Sequence, residues 1–69
     1  MTDNERQTIK QLRHSNQITQ QELAKELAVK QSTVWRWEND KVKVSFSNRR
    51  ALCKLFVVEP REVSWPKEG

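Results

Sequence analysis

The sequence predicts a small all-α protein, and three observations lead to this fold class. The chain has 69 residues, which is room for one domain. It contains one glycine and two prolines, and good helix formers such as Gln, Glu, Lys and Leu dominate. Val, Ile and Thr do not alternate with polar residues over any run of strand length. We therefore expect a single all-α domain.

The charge, the cysteine content and the hydropathy restrict the class of protein further. A formal net charge of +4 favours nucleic acid or another anionic partner, although a basic soluble domain would show the same balance. Cys53 is the one cysteine, so no intramolecular disulfide and no cysteine-rich metal site can form. No apolar run approaches the ~18 residues of a membrane span. We expect a cytoplasmic protein with no metal, no cofactor, no small-molecule ligand and no membrane contact.

The N-terminal segment predicts a short arm and a first helix. Residues 1–4 form the arm. Residues 5–14 carry Ile9 and Leu12 at helical spacing, which gives this helix one narrow apolar stripe. Asn16 follows in a break, and asparagine tolerates the left-handed conformation that a tight turn requires.

A capping-box pattern opens the second helix. Thr19 supplies a hydroxyl and Glu22 a carboxylate three residues later, so that each can satisfy a free backbone N–H group. This helix ends near Leu27–Ala28, and a third helix is predicted over residues 31–39. The expected inward side chains of the two helices are Leu23, Ala24, Leu27, Val29, Val34 and Trp37.

The C-terminal third predicts a fourth helix and one further turn. Ser45 and Ser47 are alternative N-caps for a helix that runs to about Phe56. Pro60 suits the first position of a last turn of helix, and residues 67–69 form a tail. The expected inward side chains of this region are Ala51, Leu52, Leu55, Phe56, Val63 and Trp65.

One face of the third helix carries groups that can read DNA bases. The outward residues of this helix are Gln31, Ser32, Trp35, Arg36 and Asn39. They follow an i, i+1, i+4, i+5, i+8 spacing, which is one continuous face. An amide suits adenine, a guanidinium suits guanine and a hydroxyl suits either. Trp35 has two interpretations: it packs over Arg36 or a loop, or it touches a sugar or a thymine methyl.

The stretch LRHSNQITQQELAKELAVKQSTVWRWENDK resembles the helix-turn-helix of the phage Cro and lambda-repressor-type family, also called the XRE type. The segments T-Q-x-E-L-A, V-x-x-S-T-V and W-E-N are specific together, and the resemblance extends from Ile9 to Val63. It implies a bundle of about five helices in which the second and third form the motif, over about residues 20–39. The third helix would then lie in the major groove.

The resemblance also implies which residues touch DNA. Base contacts fall on Gln31, Ser32 and Arg36, to which the exposed face adds Trp35. Phosphate contacts fall on Thr19 or Gln20, Asn39 and Lys41, and the basic rim is extended by Lys30 and Lys43. Arg49 and Arg50 have two interpretations, as a solvated face or as flanks of a phosphate at the start of the fourth helix.

Two further sets of residues are implied by the same family. Arg13 and Glu38 would form a partly buried ion pair that ties the first helix to the third, although both could be ordinary surface charges. Members of the family often pair through the segment after the third helix and through the C-terminal turn. Here those regions offer Phe46, Pro60 and Trp65 for a weak homodimer that assembles on DNA.

The chain departs from the family pattern at several turns. Ala28, Asp40 and Val57 stand where glycine is usual, and Val44 stands where proline is usual. Lys30 occupies a position where a Ser or Thr cap is common. A β-branched residue is the hardest of these to fit, because it disfavours positive φ. These departures affect loop geometry rather than the motif.

The sequence therefore predicts a transcription regulator, a Cro-like or small bacterial repressor that binds double-stranded operator DNA as a dimer. The cell would be bacterial or phage-infected, with the protein associated with the nucleoid. The alternative is an antitoxin that binds a toxin and autoregulates its operon. An enzyme is not expected, because the sequence offers no nucleophile–base pair, metal cluster or phosphate-binding loop.

Overall fold

The computed structural model describes residues 6–66, which hold four α-helices, a short 3-10 turn and a pair of very short strands. The helices are α1 (Ile9–Ser15), α2 (Gln20–Leu27), α3 (Gln31–Glu38) and α4 (Phe46–Phe56). The strands are β1 (Gln7–Thr8) and β2 (Val63–Ser64), and the 3-10 turn is Pro60–Glu62. The predicted arm at residues 1–4, the helix start at residue 5 and the tail at residues 67–69 lie outside the described residues.

The C-terminal turn differs from the fifth helix that the sequence predicts. It is a single 3-10 turn of three residues, because the chain leaves it at Val63 to pair with the N-terminal strand. The pairing is parallel, with Gln7 opposite Val63 and Thr8 opposite Ser64. The all-α expectation therefore omits a small two-stranded sheet. Strands of two residues have no alternation that a sequence pattern could reveal.

Reciprocal side-chain caps set the starts of α1 and α2. Thr8 and Thr19 each accept a hydrogen bond from the backbone N–H three residues later, at 3.1 and 3.0 Å. In return, the side-chain oxygens of Gln11 and Glu22 accept from the backbone N–H of the capping threonine, at 2.8 Å in both cases. The first helix consequently begins at Ile9, later than expected, because Thr8 is its extended cap.

Ser45 is the cap of α4, and Ser47 lies inside the helix. The Ser45 hydroxyl accepts from the backbone N–H of Asn48 at 3.3 Å. Lys30, in contrast, stands at the N-cap of α3 and makes no capping hydrogen bond with its side chain. The structure thus selects one of the two serines and leaves the third helix without a side-chain cap.

Several non-glycine residues adopt the left-handed conformation, with φ between 56° and 58°. Within residues 6–66 they are Gln17, Ala28, Asp40 and Val57. The expectation for Asn16 is wrong by one position: its φ is −97°, and the left-handed residue is Gln17. The Asn16 side chain instead donates to the backbone oxygen of Leu12 at 2.7 Å, which holds it against the end of α1.

One apolar core joins all four helices and β2. Its buried members are Ile9, Leu12, Leu23, Ala24, Val34, Trp37, Val44, Leu52, Phe56 and Val63. Leu27, Val29 and Trp65 are partly buried and pack against this core. Leu55 is exposed, so its predicted inward position is wrong. Val44, which stands where the family usually has proline, is buried and anchors the segment between α3 and α4.

Cys53 lies on the buried face of α4, and burial raises the pKa of its thiol. None of the helices in residues 6–66 has both the length and the apolar character needed to cross a bilayer.

Candidate nucleic-acid interface

A tight turn joins α2 to α3. Ala28 has φ 58° and ψ 42°, which reverses the chain direction directly after α2. The Val29 N–H donates to the backbone oxygen of Ala24 at 2.9 Å, and the Val29 side chain packs against the core. Lys30 is extended, and α3 begins at the next residue. The first two residues of α3, Gln31 and Ser32, are exposed to solvent, whereas Val34 one turn on is buried.

The two faces of α3 have different surroundings. Val34 and Trp37 are buried in the core. The opposite face consists of exposed residues, which are Gln31, Ser32, Trp35, Arg36 and Asn39. We call these five residues the outer face of α3. An amide, a hydroxyl and a guanidinium thus lie side by side on a helix that is supported from behind by packed side chains.

Trp35 and Asn39 have distinct positions on the outer face. The Trp35 side chain is 48% exposed, which leaves a large part of its ring surface in solvent. The Asn39 amide donates to the backbone oxygen of Trp35 at 2.8 Å, so it binds the last turn of α3. One amide proton of Asn39 is therefore used inside the protein.

Gln20 links α2 to both ends of α3. Its Nε2 donates to Glu38 Oε1 at 2.9 Å, and its Oε1 accepts from Gln31 Nε2 at 3.3 Å. Gln20 was expected at a phosphate, and the sequence pattern gave no indication of these two bonds. The signal that could have found them is the presence of two amides on either side of a tight turn.

Arg13 and Glu38 form a bidentate ion pair between α1 and α3. Arg13 Nε donates to Glu38 Oε2 at 2.7 Å, and Arg13 Nη2 donates to Oε1 at 3.2 Å. Their side chains are 10% and 3% exposed, so both lie inside the fold. Arg13 Nη1 also donates to the backbone oxygen of Ile18 at 3.0 Å, which fixes the turn before α2.

The ionisation of Glu38 follows from these contacts. Burial raises the pKa of Glu38, but the hydrogen bonds from Arg13 and Gln20 and the Arg13 charge together outweigh it. The resulting pKa lies below its ordinary value. Glu38 is therefore a carboxylate at neutral pH.

The lysines predicted to contact phosphate lie on either side of α3 along the sequence. Lys30, Lys41 and Lys43 are exposed, immediately before α3 and in the loop after it. Thr19 is exposed but uses its hydroxyl as the cap of α2. The Lys41 N–H donates to the backbone oxygen of Arg36 at 2.8 Å, so this residue is held against the end of α3.

Arg49 and Arg50 both make contacts within the protein. Arg49 Nε donates to the backbone oxygen of Val44 at 3.1 Å, and its guanidinium lies 5.2 Å from the centre of the Trp65 ring. The Arg50 guanidinium lies 5.9 Å from the centre of the Phe46 ring. Arg49 therefore ties the loop after α3 to the C-terminal segment.

The residues predicted for a dimer interface divide into two groups. Trp65 and Pro60 lie together, because Trp65 Nε1 donates to the Pro60 backbone oxygen at 3.0 Å. Trp65 is partly buried by these intramolecular contacts. Phe46 is 74% exposed at the first position of α4. Val57, which was not predicted as a surface group, is also exposed.

Comparison with known proteins identifies one family. The family described as a helix-turn-helix domain, which is of the Cro and XRE kind, matches residues 6–65. No curated protein and no solved structure matches the chain. Within residues 6–66, no three His, Cys, Asp or Glu side chains gather where they could hold a metal ion.

Proposed function

The chain belongs to this helix-turn-helix family, and on that premise we propose that it is a sequence-specific transcription regulator that inserts α3 into the major groove of operator DNA. The observation that carries the proposal is the outer face of α3, where Gln31, Ser32 and Arg36 are exposed together. A major groove about 12 Å wide admits one helix, and these side chains are the length and chemistry that base edges require.

Each side chain of the outer face has a preferred base. Gln31 presents an amide, which pairs with adenine N6 and N7. Arg36 presents a guanidinium, which pairs with guanine O6 and N7. Ser32 can donate to or accept from either of these purines. Trp35, which is 48% exposed, would contact a sugar or a thymine methyl. The order of these residues along α3 would set the order of bases in the operator.

Lysines on both sides of the outer face would bind the DNA backbone. Lys30 precedes α3, and Lys41 and Lys43 follow it. Thr19 and Gln20 stand at the start of α2, where free N–H groups and the helix dipole favour a phosphate. Asn39 retains one amide proton for the same purpose. Phosphate contacts fix the position of the helix along the duplex. They also make the DNA-binding affinity decrease as the salt concentration increases.

A repressor of this size would act as a dimer. One recognition helix contacts too few base pairs to select an operator among the competing sites of a genome. Phe46 is an exposed apolar group at the start of α4, and Pro60 is exposed in the 3-10 turn, where its backbone oxygen accepts from Trp65. We infer that Phe46 and Pro60 each offer a small apolar patch to a second copy. A patch of this size fits a weak homodimer that assembles on an inverted repeat.

The antitoxin role remains the alternative, and one observation favours it. Phe46 and Val57 are the most exposed large apolar side chains of residues 6–66, at the start and after the end of α4. A protein partner could cover either of them. Both roles include DNA binding, so the test of DNA recognition comes first.

Arg36→Ala tests the proposal. We expect it to weaken binding to the selected operator by about 1–3 kcal/mol and binding to random DNA much less, because a bidentate guanine contact is lost. Arg61→Ala is the matched control, because it removes the same charge from the exposed 3-10 turn. Fluorescence anisotropy with both DNAs measures the effect. Equal losses on operator and random DNA would exclude base reading by Arg36.

A further inference from the structure

The hydrogen bonds behind the outer face of α3 form one continuous chain. Arg13 donates to Glu38, Gln20 donates to Glu38, and Gln31 donates to Gln20. This chain of hydrogen bonds begins at Arg13 and Glu38, whose side chains lie inside the fold. It ends at the exposed amide of Gln31, which faces the groove in the proposed complex.

The buried end of this chain fixes the direction of every bond in it. A carboxylate accepts hydrogen bonds and cannot donate them. Glu38 therefore requires Gln20 to turn its N–H₂ group inward, which leaves the Gln20 oxygen for Gln31. Gln31 must then donate to Gln20. Its own oxygen and its second N–H therefore point away from this chain of hydrogen bonds. An amide without such partners can exchange the places of its oxygen and nitrogen with little change in shape.

We propose that Glu38, held by Arg13, is a positioning residue that makes Gln31 select adenine. The inference rests on the proposed function and adds what sets the base preference of one contact. An amide held in this direction offers one acceptor and one donor side by side, which matches adenine N6–H₂ and N7. An amide free to turn could instead place its N–H₂ group against guanine O6 and N7. Discrimination at that base pair would then be lost.

The experiment measures base preference at every operator position. The full chain is used to select sites from a pool of randomised duplex DNA, and Gln31→Ala identifies the position that depends on this amide. In Glu38→Gln, the new amide can donate or accept, so the donor-to-acceptor direction of the hydrogen bonds from residue 38 to Gln31 is no longer fixed. We expect the adenine preference at that position to fall about tenfold, while the preference at the Arg36 position is unchanged.

Gln20→Leu is the matched variant that leaves the ion pair in place. It removes the hydrogen bonds that connect Glu38 to Gln31. We expect the adenine preference at the Gln31 position to fall by about tenfold, as in Glu38→Gln. The double variant should show no further loss beyond Gln20→Leu alone, because Glu38 acts through Gln20. A merely structural role for Glu38 would weaken binding at all positions and add to the effect of Gln20→Leu.

The outcomes separate this inference from the proposed function. If the native chain enriches a site and both single variants keep the adenine preference, the positioning role is overturned. An equal loss of base preference at every position in a folded variant overturns it as well. A lower overall affinity of Gln20→Leu is expected separately, because Gln20 is also a proposed phosphate contact. Thermal melting shows which variants fold, and Gln20→Leu decides the question if Glu38→Gln does not. If the native chain enriches no sequence, the proposed function fails and the positioning role fails with it.

Discussion

Val57 has an unfavourable backbone conformation for its residue type. Its φ is 56° and its ψ is 53°, directly after the last residue of α4. In this region the Cβ atom approaches the following carbonyl oxygen, which costs about 1–2 kcal/mol, and a β-branched side chain fits least well. The side chain is 87% exposed, so it contributes little packing in return. The strain at this residue is local, and the conformation is held by the hydrogen bonds that the Val57 and Val58 N–H groups donate to the backbone oxygen of Cys53.

We expect Val57→Gly to raise the free energy of unfolding by about 1 kcal/mol, because glycine adopts positive φ without steric cost. Urea denaturation measures the change. Lys54→Gly is the control, since Lys54 is exposed within α4 and glycine at a helical position lowers stability by about 1 kcal/mol. A loss of stability in both variants would show that the backbone at Val57 is not strained.

The pKa of Glu38 predicts how stability changes in acid. The folded pKa lies below the ordinary value of 4.5, so the unfolded chain binds this proton more readily. The stabilisation is therefore complete above the unfolded pKa and is lost as pH falls through the folded pKa. We expect Glu38→Gln to reduce stability at pH 7 and to flatten its decline in acid. Glu26→Gln, at an exposed position of α2, should leave that decline unchanged in melting experiments.

At the residue scale, the sequence predicted which face of a helix is exposed better than it predicted which side chains form hydrogen bonds with each other. The exposed side of α3 follows from helical spacing alone, and the structure places Gln31 and Arg36 there. The contact between Gln20 and Glu38 joins residues of two helices, and it depends on side-chain conformations that spacing does not determine. The left-handed residue after α1 was misplaced for a similar reason. Asn16 has the better propensity, but the end of the helix places Gln17 there.

At the element scale, local capping signals were enough for α2, and they limited the start of α4 to two serines. The capping box of Thr19 starts α2 at the predicted position. The start of α1 was placed too early, because residues 5–8 have helix-forming composition. Pairing of Gln7 with Val63 and capping by Thr8 override that composition. A contact between residues so far apart in the chain produces no local sequence pattern from which it could be predicted.

The two serines at the start of α4 give a test at this scale. We expect Ser45→Ala to lower the free energy of unfolding by about 1 kcal/mol, because the N–H of Asn48 loses its partner. Ser47→Ala should stay within about 0.5 kcal/mol of the native chain, since it removes an exposed hydroxyl inside the helix. Chemical denaturation distinguishes them. The reverse order would assign the cap to Ser47.

At the scale of the whole molecule, the dimensions suit successive turns of DNA. The principal extents are 34, 26 and 20 Å. Two-fold dimers place recognition helices about 34 Å apart. The longest extent of one copy equals this spacing, so its size does not prevent the proposed dimer from placing two copies on successive turns of the duplex.

We expect binding to an inverted repeat to be cooperative in protein concentration. Phe46→Ser should reduce the cooperativity and leave the melting temperature nearly unchanged, because the ring is mostly exposed. Val57→Ser removes another exposed apolar side chain outside the predicted interface and should leave cooperativity intact. Footprinting titrations compare the three proteins. Hyperbolic binding of the native chain to a single half-site would show that it acts as a monomer.

The pairing of β1 with β2 also has a consequence for the order of folding. It joins residues 7–8 to residues 63–64, so it closes a loop that contains nearly all of the described chain. α2 and α3 meet across one short turn and need a much smaller loop. Because the entropy cost of closure rises with loop length, the helix pair can organise early and the strand pair forms last. Contacts that form after the transition state leave the folding rate nearly unchanged and slow unfolding. We therefore expect substitutions that weaken this strand pairing to speed unfolding more than they slow folding.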